Sequence, residues 1–211
     1  MTTRAVPIRL GAALGITLLH LAVYDAVNAL NAARPVVDLH DFSSRFDAWI
    51  PYLEWTAYVY YLGDVWIIVG GVVILWTLPR HLLGRTVLAY VGMILVGGAV
   101  QAMLPAQAPY PDDPHWLQRT IHDALDGRLF ACLPSMHVAL AVLPALLVPH
   151  ALDSRAVFAL YVLGAVMVSV ATVTAKEHYF LDAVAGALLA TVIYGLWLRG
   201  TASPAGIHGG G

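Results

Sequence analysis

Six stretches of this chain are mostly apolar and close to the length of a membrane crossing: roughly residues 9–31, 55–78, 86–104, 134–151, 156–174 and 181–199. A helix rises 1.5 Å per residue, so about 20 residues cross the ~30 Å hydrocarbon layer of a bilayer. The pattern therefore predicts an all-α protein, an integral membrane bundle of six transmembrane helices. The 211 residues form one transmembrane domain with a core over about 9–199.

Composition supports a lipid solvent. Only 11% of the residues are charged and 60% are hydrophobic, with mean hydropathy +0.75. A soluble domain carries roughly 25% charged residues, so this chain cannot cover itself with a polar surface. A net charge of −2 and the lack of a basic stripe exclude nucleic acid as a partner. The lone Cys132 cannot form an intramolecular disulfide, gives no information on compartment, and is read as a packing residue. Arg4 and Arg9 run into the first apolar stretch without a small-residue cleavage site, so the first span is expected to stay.

The joints between spans are legible. Arg34-Pro35, Pro79-Arg80-His81, Pro105 and Leu152-Asp153-Ser154-Arg155 mark ends and turns. Residues 36–54 mix aromatic and charged side chains, as in a segment lying in the interface. Residues 105–133 are the longest polar loop, and a loop of this length in a compact protein is usually functional or disordered. The Gly-rich tail 200–211 is expected to be flexible. Six spans put both termini on one face, with Arg4, Arg9, Arg80, Arg85, Arg155 and Arg199. The other face holds Arg34, Arg45, Arg119, Arg128, Lys176 and nearly all the acids. Short Arg-rich loops assign the first face to the cytoplasm of a plasma or inner membrane and the second to the outside.

The outer face collects the residues with chemistry. His178 and Asp182 are spaced i, i+4, which places them on one helical stripe. A carboxylate there can hold one imidazole N–H and leave the other nitrogen as a nucleophile. Pro134 and Ser135 suit the first turn of a helix, whose free N–H groups attract anions. A phosphate bound by Ser135 and the following amides could receive a proton from His137 at its leaving oxygen. Each of these features alone also fits a packed or capping residue.

Together, Pro134-Ser135-Met136-His137 and, about forty residues on, His178-Tyr179-Phe180-Leu181-Asp182-Ala183-Val184-Ala185-Gly186 resemble the type 2 phosphatidic acid phosphatase superfamily. The second motif looks most like the branch containing inositol phosphorylceramide synthase. Leu104-Pro105-Ala106-Gln107-Ala108-Pro109 and Ile50-Pro51-Tyr52 are also similar to that branch, and the resemblance covers roughly residues 45–190. It implies a metal-independent lipid phosphate phosphatase or phosphotransferase without cofactor. His178 would form a phosphohistidine, Asp182 would orient it, and His137 would protonate the leaving alcohol, then activate water or an acceptor. Ser135 and Tyr179 would contact the substrate.

The sequence departs from the superfamily at the phosphate clamp. Ala171 and Thr172 stand where Ser-Arg is expected, Tyr110 follows Pro109 where an Arg is expected, and Arg34-Pro35 lies too early in the chain. Lys176, Arg119 and Arg128 are the candidate cations. Asp25, near the face shared by His20 and Asn28, and Asp64 in the second span are charged groups at costly depth, for which partners are expected. Asp25 suits interhelical bonding and head-group binding equally, whereas Asp64 reads as structural. His115, His122, Asp112, Asp113, Asp123 and Asp126 lack tight metal-ligand spacing and read as a solvated acidic loop, so no metal is expected. The small residues at Gly97, Gly98 and Gly186 suit close helix packing. The alternative function is a non-catalytic lipid-binding or scaffold member of the same fold, supported by the missing arginines. A proton-coupled transporter is disfavoured because the polar residues gather at one face.

Overall fold

The computed structural model describes residues 5–35, 39–124 and 130–197. Arg4, Asp126, Arg128, Arg199 and the tail 200–211 lie outside the described residues. Seven helices and no strand are found among the described residues: α1 (Ala5–Ala32), α2 (Thr56–Thr77), α3 (Arg80–Met103), α4 (Trp116–Ala124), α5 (Met136–Ala151), α6 (Arg155–Thr174) and α7 (Phe180–Trp197). Of these, α1, α2, α3 and α6 are long and apolar enough to cross a membrane, while α5 and α7 are shorter apolar helices. The all-helical architecture thus agrees with the expectation, but the candidate spans number four rather than six.

The shortest apolar helix is also the central one. The 16 residues of α5 reach only about 24 Å. It packs on α2, α6 and α7, and most of its residues are buried. A helix that is apolar on all sides belongs inside a bundle. Glycines permit the closest approaches. A Cβ at Gly97 would meet Met136 Sδ at 2.4 Å, and one at Gly98 would meet Val23 at 2.3 Å.

Helix ends explain several polar residues. The Arg9 guanidinium donates to the carbonyls of Leu75 and Trp76, and to that of Leu78 at 2.7 Å, satisfying the C-terminal end of α2. Ser135 and Ser154 cap α5 and α6 by accepting from Val138 N and Val157 N. The third helix starts at Arg80, directly after Pro79, and not near residue 86. Its first turns carry Arg80, His81 and Arg85, whose polar ends are exposed while the backbone is already helical.

A polar belt fixes the entry to α5. Gln101 Nε2 donates to Ala131 O (3.1 Å) and Pro134 O (2.9 Å). Asn31 Nδ2 donates to Gln101 O (3.0 Å) and Phe130 O (3.2 Å), and Asn28 Oδ1 accepts from Phe130 N (2.9 Å). Polar side chains from α1 and α3 thereby supply the hydrogen bonds that an irregular backbone needs when buried. The segment around residues 45–50 forms turns, not a helix, and Leu53 N donates to Thr174 O at 2.9 Å.

Candidate active site

The α6–α7 connection is built by a helix-ending motif. Lys176 adopts φ 58, the left-handed conformation that closes many helices. Lys176 N then donates to Val173 O and Glu177 N to Thr172 O, each at 3.2 Å. This pairing turns the chain back and sets Glu177 and His178 at the mouth of the bundle.

His178 meets its expected carboxylate. Its Nδ1 lies 3.3 Å from Asp182 Oδ2, and the Asp182 side chain is fully buried. The same oxygen accepts from Tyr179 N at 3.0 Å. Asp182 O accepts from Ser135 N at 2.9 Å, which ties the first turn of α7 to the start of α5. Gly186, one turn further on, admits this contact: a Cβ there would stand 2.3 Å from Ser135 O. The closing Gly of the motif is therefore a packing requirement for the approach of α5 to α7.

His137 projects from the first turn of α5 towards His178, with ring centroids 6.1 Å apart. A second carboxylate serves it: Asp64 Oδ1 lies 2.9 Å from His137 Nε2. Tyr60 OH lies 3.1 Å from His137 Nδ1. Two imidazole–carboxylate pairs thus face one another across the mouth. The partner expected for Asp64 is thus His137, one of the two facing histidines. A charged residue deep in an apolar span was the signal that marked it.

Beneath the two rings runs a cavity of about 480 Å³. Its walls extend along α1 from Asp25 to Ala13 and along α2 from Tyr60 to Leu75, a depth of about 20 Å. Ile16, Ile67, Val72 and Leu140 make the deep part apolar. Leu21 and Ile68 also line it and are 52% and 51% exposed, so the cavity opens sideways between α1 and α2. His20 and Asp25 are on its wall, whereas Asn28 is engaged in the polar belt.

The other expected binding residues are elsewhere. Ser135 is fully buried as the helix cap and does not line the cavity. Tyr179 is half-buried and also off the wall. Lys176 Nζ donates to Asp47 O (3.2 Å) and Ile50 O (2.7 Å), pinning the interfacial segment. Arg119 is exposed and paired with Asp113 at 3.1 Å. Arg128 lies outside the described residues. Among the described residues, then, no Lys or Arg lines the cavity.

A buried cluster missed by the sequence reading stands beside His178. Glu177 Oε2 lies 3.0 Å from His122 Nε2, and Glu177 Oε1 accepts from Gln118 Nε2 (2.8 Å) and Tyr61 OH (3.3 Å). Burial pushes the Glu177 carboxyl up, but the hydrogen bond and charge of His122, with Gln118 and His178, outweigh it and hold the group below its ordinary range. The acidic loop is only partly solvated. Asp112, Asp113 and Asp123 are exposed, while His115 and His122 are buried and do not converge with them. Among the described residues, the groups close enough to share a metal ion are Cys132, His178 and Asp182, whose donor atoms lie within 4.8 Å of one another. A Cys, His and carboxylate set would suit zinc.

Residues 37–196 match the family model described as the PAP2 superfamily. No curated protein and no solved structure matches the chain.

Proposed function

The chain belongs to the PAP2 superfamily, and from that premise we propose that it is a membrane enzyme transferring the phosphoryl group of a lipid phosphate through a phosphohistidine at His178. The observation that carries the reading is the facing pair of imidazoles, 6.1 Å apart, each held by its own carboxylate. With Asp182 on Nδ1, the free Nε2 of His178 attacks phosphorus. A P–N bond forms, the P–O bond to the lipid alcohol breaks, and His137 gives that oxygen its proton. Both nitrogens of His137 are engaged, so the leaving oxygen takes over one contact. The neutral Tyr60 contact is weaker than the one to the Asp64 carboxylate. Water or an alcohol then attacks phosphorus, His137 takes its proton, and the P–N bond breaks to restore the His178 imidazole. No step calls for a metal.

The lipid character of the substrate is supported by the apolar depth of the cavity and its side opening between α1 and α2. A chain held there would place its phosphate between the two rings. Six membrane crossings, with termini in the cytoplasm and the site outside, fit the helix ends that meet at this mouth. Resemblance to the inositol phosphorylceramide synthase branch favours an alcohol as acceptor, and water is the alternative.

One observation favours the non-catalytic alternative, a lipid-binding member of the fold: the described cavity wall carries no Lys or Arg. The test is to incubate purified protein with phosphatidic acid, diacylglycerol pyrophosphate, polyprenyl phosphates and phosphatidylinositol in the presence of chelator. Released phosphate or a new head-group product, lost in His178→Ala and His137→Ala, is expected. Turnover unaffected by both substitutions would exclude the mechanism, and binding without turnover would favour the alternative.

A further inference from the structure

Phosphoryl transfer needs positive charge against the phosphoryl oxygens, and the described wall of the cavity offers only imidazoles for it: His20, His122, His137 and His178. His137 and His178 are each assigned a proton transfer or a covalent step. His20 stands near His137 and Asp64, but among the described residues no carboxylate is paired with it as Glu177 is with His122. His122 remains. It belongs to α4, within the polar loop, yet its side chain is only 7% exposed and faces the cavity beside Glu177 and His178.

Resting on the phosphoryl-transfer reading, we propose that His122 is the anion-binding group of this site, an imidazolium that donates Nδ1–H to a phosphoryl oxygen.

Three observations carry this assignment. First, His122 is polarised from one side only. Glu177 takes Nε2 at 3.0 Å, which holds a proton there, while the buried Nδ1 has no partner among the described residues. A buried nitrogen without a partner is costly, and a site that receives a ligand oxygen is one reason to leave it so. Second, the supporting carboxylate is locked. Gln118 and Tyr61 donate to it, Gln118 Nε2 also donates to Ala175 O at 2.9 Å, and Tyr52 OH donates to Gln118 Oε1 at 2.8 Å. This web joins α4 to the same connection that places His178, so the two imidazoles are held relative to one another. Third, the imidazole has a ring neighbour. Tyr110 packs against His122 with centroids 4.0 Å apart and fixes its plane. With Glu177 on one nitrogen and a phosphoryl oxygen at the other, both ring nitrogens face acceptors in the ligand-bound state, and the Glu177 carboxylate compensates the bound imidazolium.

The assigned ligand class is a phosphate mono- or diester oxygen, and inorganic phosphate is the simplest probe. The experiment uses the full chain in lipid nanodiscs. Product inhibition by inorganic phosphate and the KM for a lipid phosphate are measured for wild type, His122→Gln and His122→Lys. A hydrogen bond to a charged group predicts that His122→Gln raises both constants roughly tenfold to a hundredfold, whereas the cationic His122→Lys returns to within a few-fold of wild type. Thermal unfolding and elution profile verify the fold of each. A folded His122→Gln protein with wild-type phosphate inhibition overturns the proposal, as does equal loss in both variants. If neither variant folds, histidine-nitrogen NMR of the wild-type protein decides. Phosphate is expected to shift an imidazole signal that still responds in His137→Ala and His178→Ala samples, and no such signal overturns the assignment. The outcomes separate from those for the reaction itself. His178-dependent release with no third responding imidazole removes His122 alone, and a responding third imidazole without release removes the enzyme and keeps the anion site.

Discussion

Replacing Gly186 by alanine should damage catalysis far more than the addition of one methyl group would imply. The new Cβ would stand 2.3 Å from Ser135 O and 3.2 Å from Val138 Cβ. Carbon and oxygen that are not bonded need more than 3 Å, so α7 and α5 must separate by about 1 Å. Overpacking of this kind costs about 1–3 kcal/mol. The displaced pair is the one that carries His178 and Asp182 on one side and His137 on the other, joined through Ser135 N and Asp182 O. A misplacement of about 1 Å between reacting groups can cost roughly a hundredfold in rate. The expected result is a kcat for phosphate release down by that order, with KM changed much less, and a Tm lower by several degrees. Gly195 is the control, since nothing lies within 4 Å of a Cβ there. Gly195→Ala sits in the same helix and should leave kcat unchanged while holding or raising Tm, because alanine is the better helix former. Measured side by side in nanodiscs, equal activity of the two variants would refute the argument that the α5–α7 approach sets the site.

Further outcomes follow from the same geometry. Asp64→Asn keeps the shape of the contact to His137 Nε2 but removes its charge. It should lower kcat by roughly tenfold to a hundredfold with a smaller change in KM, and an unchanged kcat would return Asp64 to a structural role. Short-chain lipid phosphates presented in solution should gain in kcat/KM by about fourfold per added methylene, from ~0.8 kcal/mol each, until the chain exceeds about 20 Å. A flat dependence on chain length would argue against the cavity as the tail site. Glu177 has a folded-state pKa held below its ordinary 4.5, so its contribution to stability is present above pH 4.5 and is lost as pH falls through the lower value. Tm should therefore drop on acidification below that pH, and less in Glu177→Gln than in wild type; identical acid limbs would contradict the pairing with His122.

Long apolar runs made the bundle legible, because a helix in lipid announces itself by length and hydropathy alone. Five of the six windows agree with helix ends to within about four residues, the ordinary precision of boundaries. The start of α3 was hidden because Arg80, His81 and Arg85 are polar yet helical. The short α4 was hidden because its buried residues are Gln118 and His122, so no apolar stripe marks its inner face. Within the site, the His178–Asp182 pair is local in sequence and readable from spacing. The Asp64–His137 and Glu177–His122 contacts join residues far apart in the chain and depend on how the helices come together. Lys176 shows the limit of adjacency. It stands two residues from His178, but its left-handed backbone turns the side chain towards the carbonyls of Asp47 and Ile50. Ser135 shows the complementary limit: its hydroxyl is taken by the helix it caps.

The most direct measurement is to trap the covalent intermediate. Protein mixed with a 32P-labelled lipid phosphate and quenched within a turnover should carry label that is stable to alkali and labile to acid, as for a phosphoramidate. That label should map to the peptide containing His178 and be absent from His178→Ala. Steady turnover by the wild-type protein with no trapped label on that peptide, or label that persists after His178→Ala, would contradict nucleophilic attack by this imidazole.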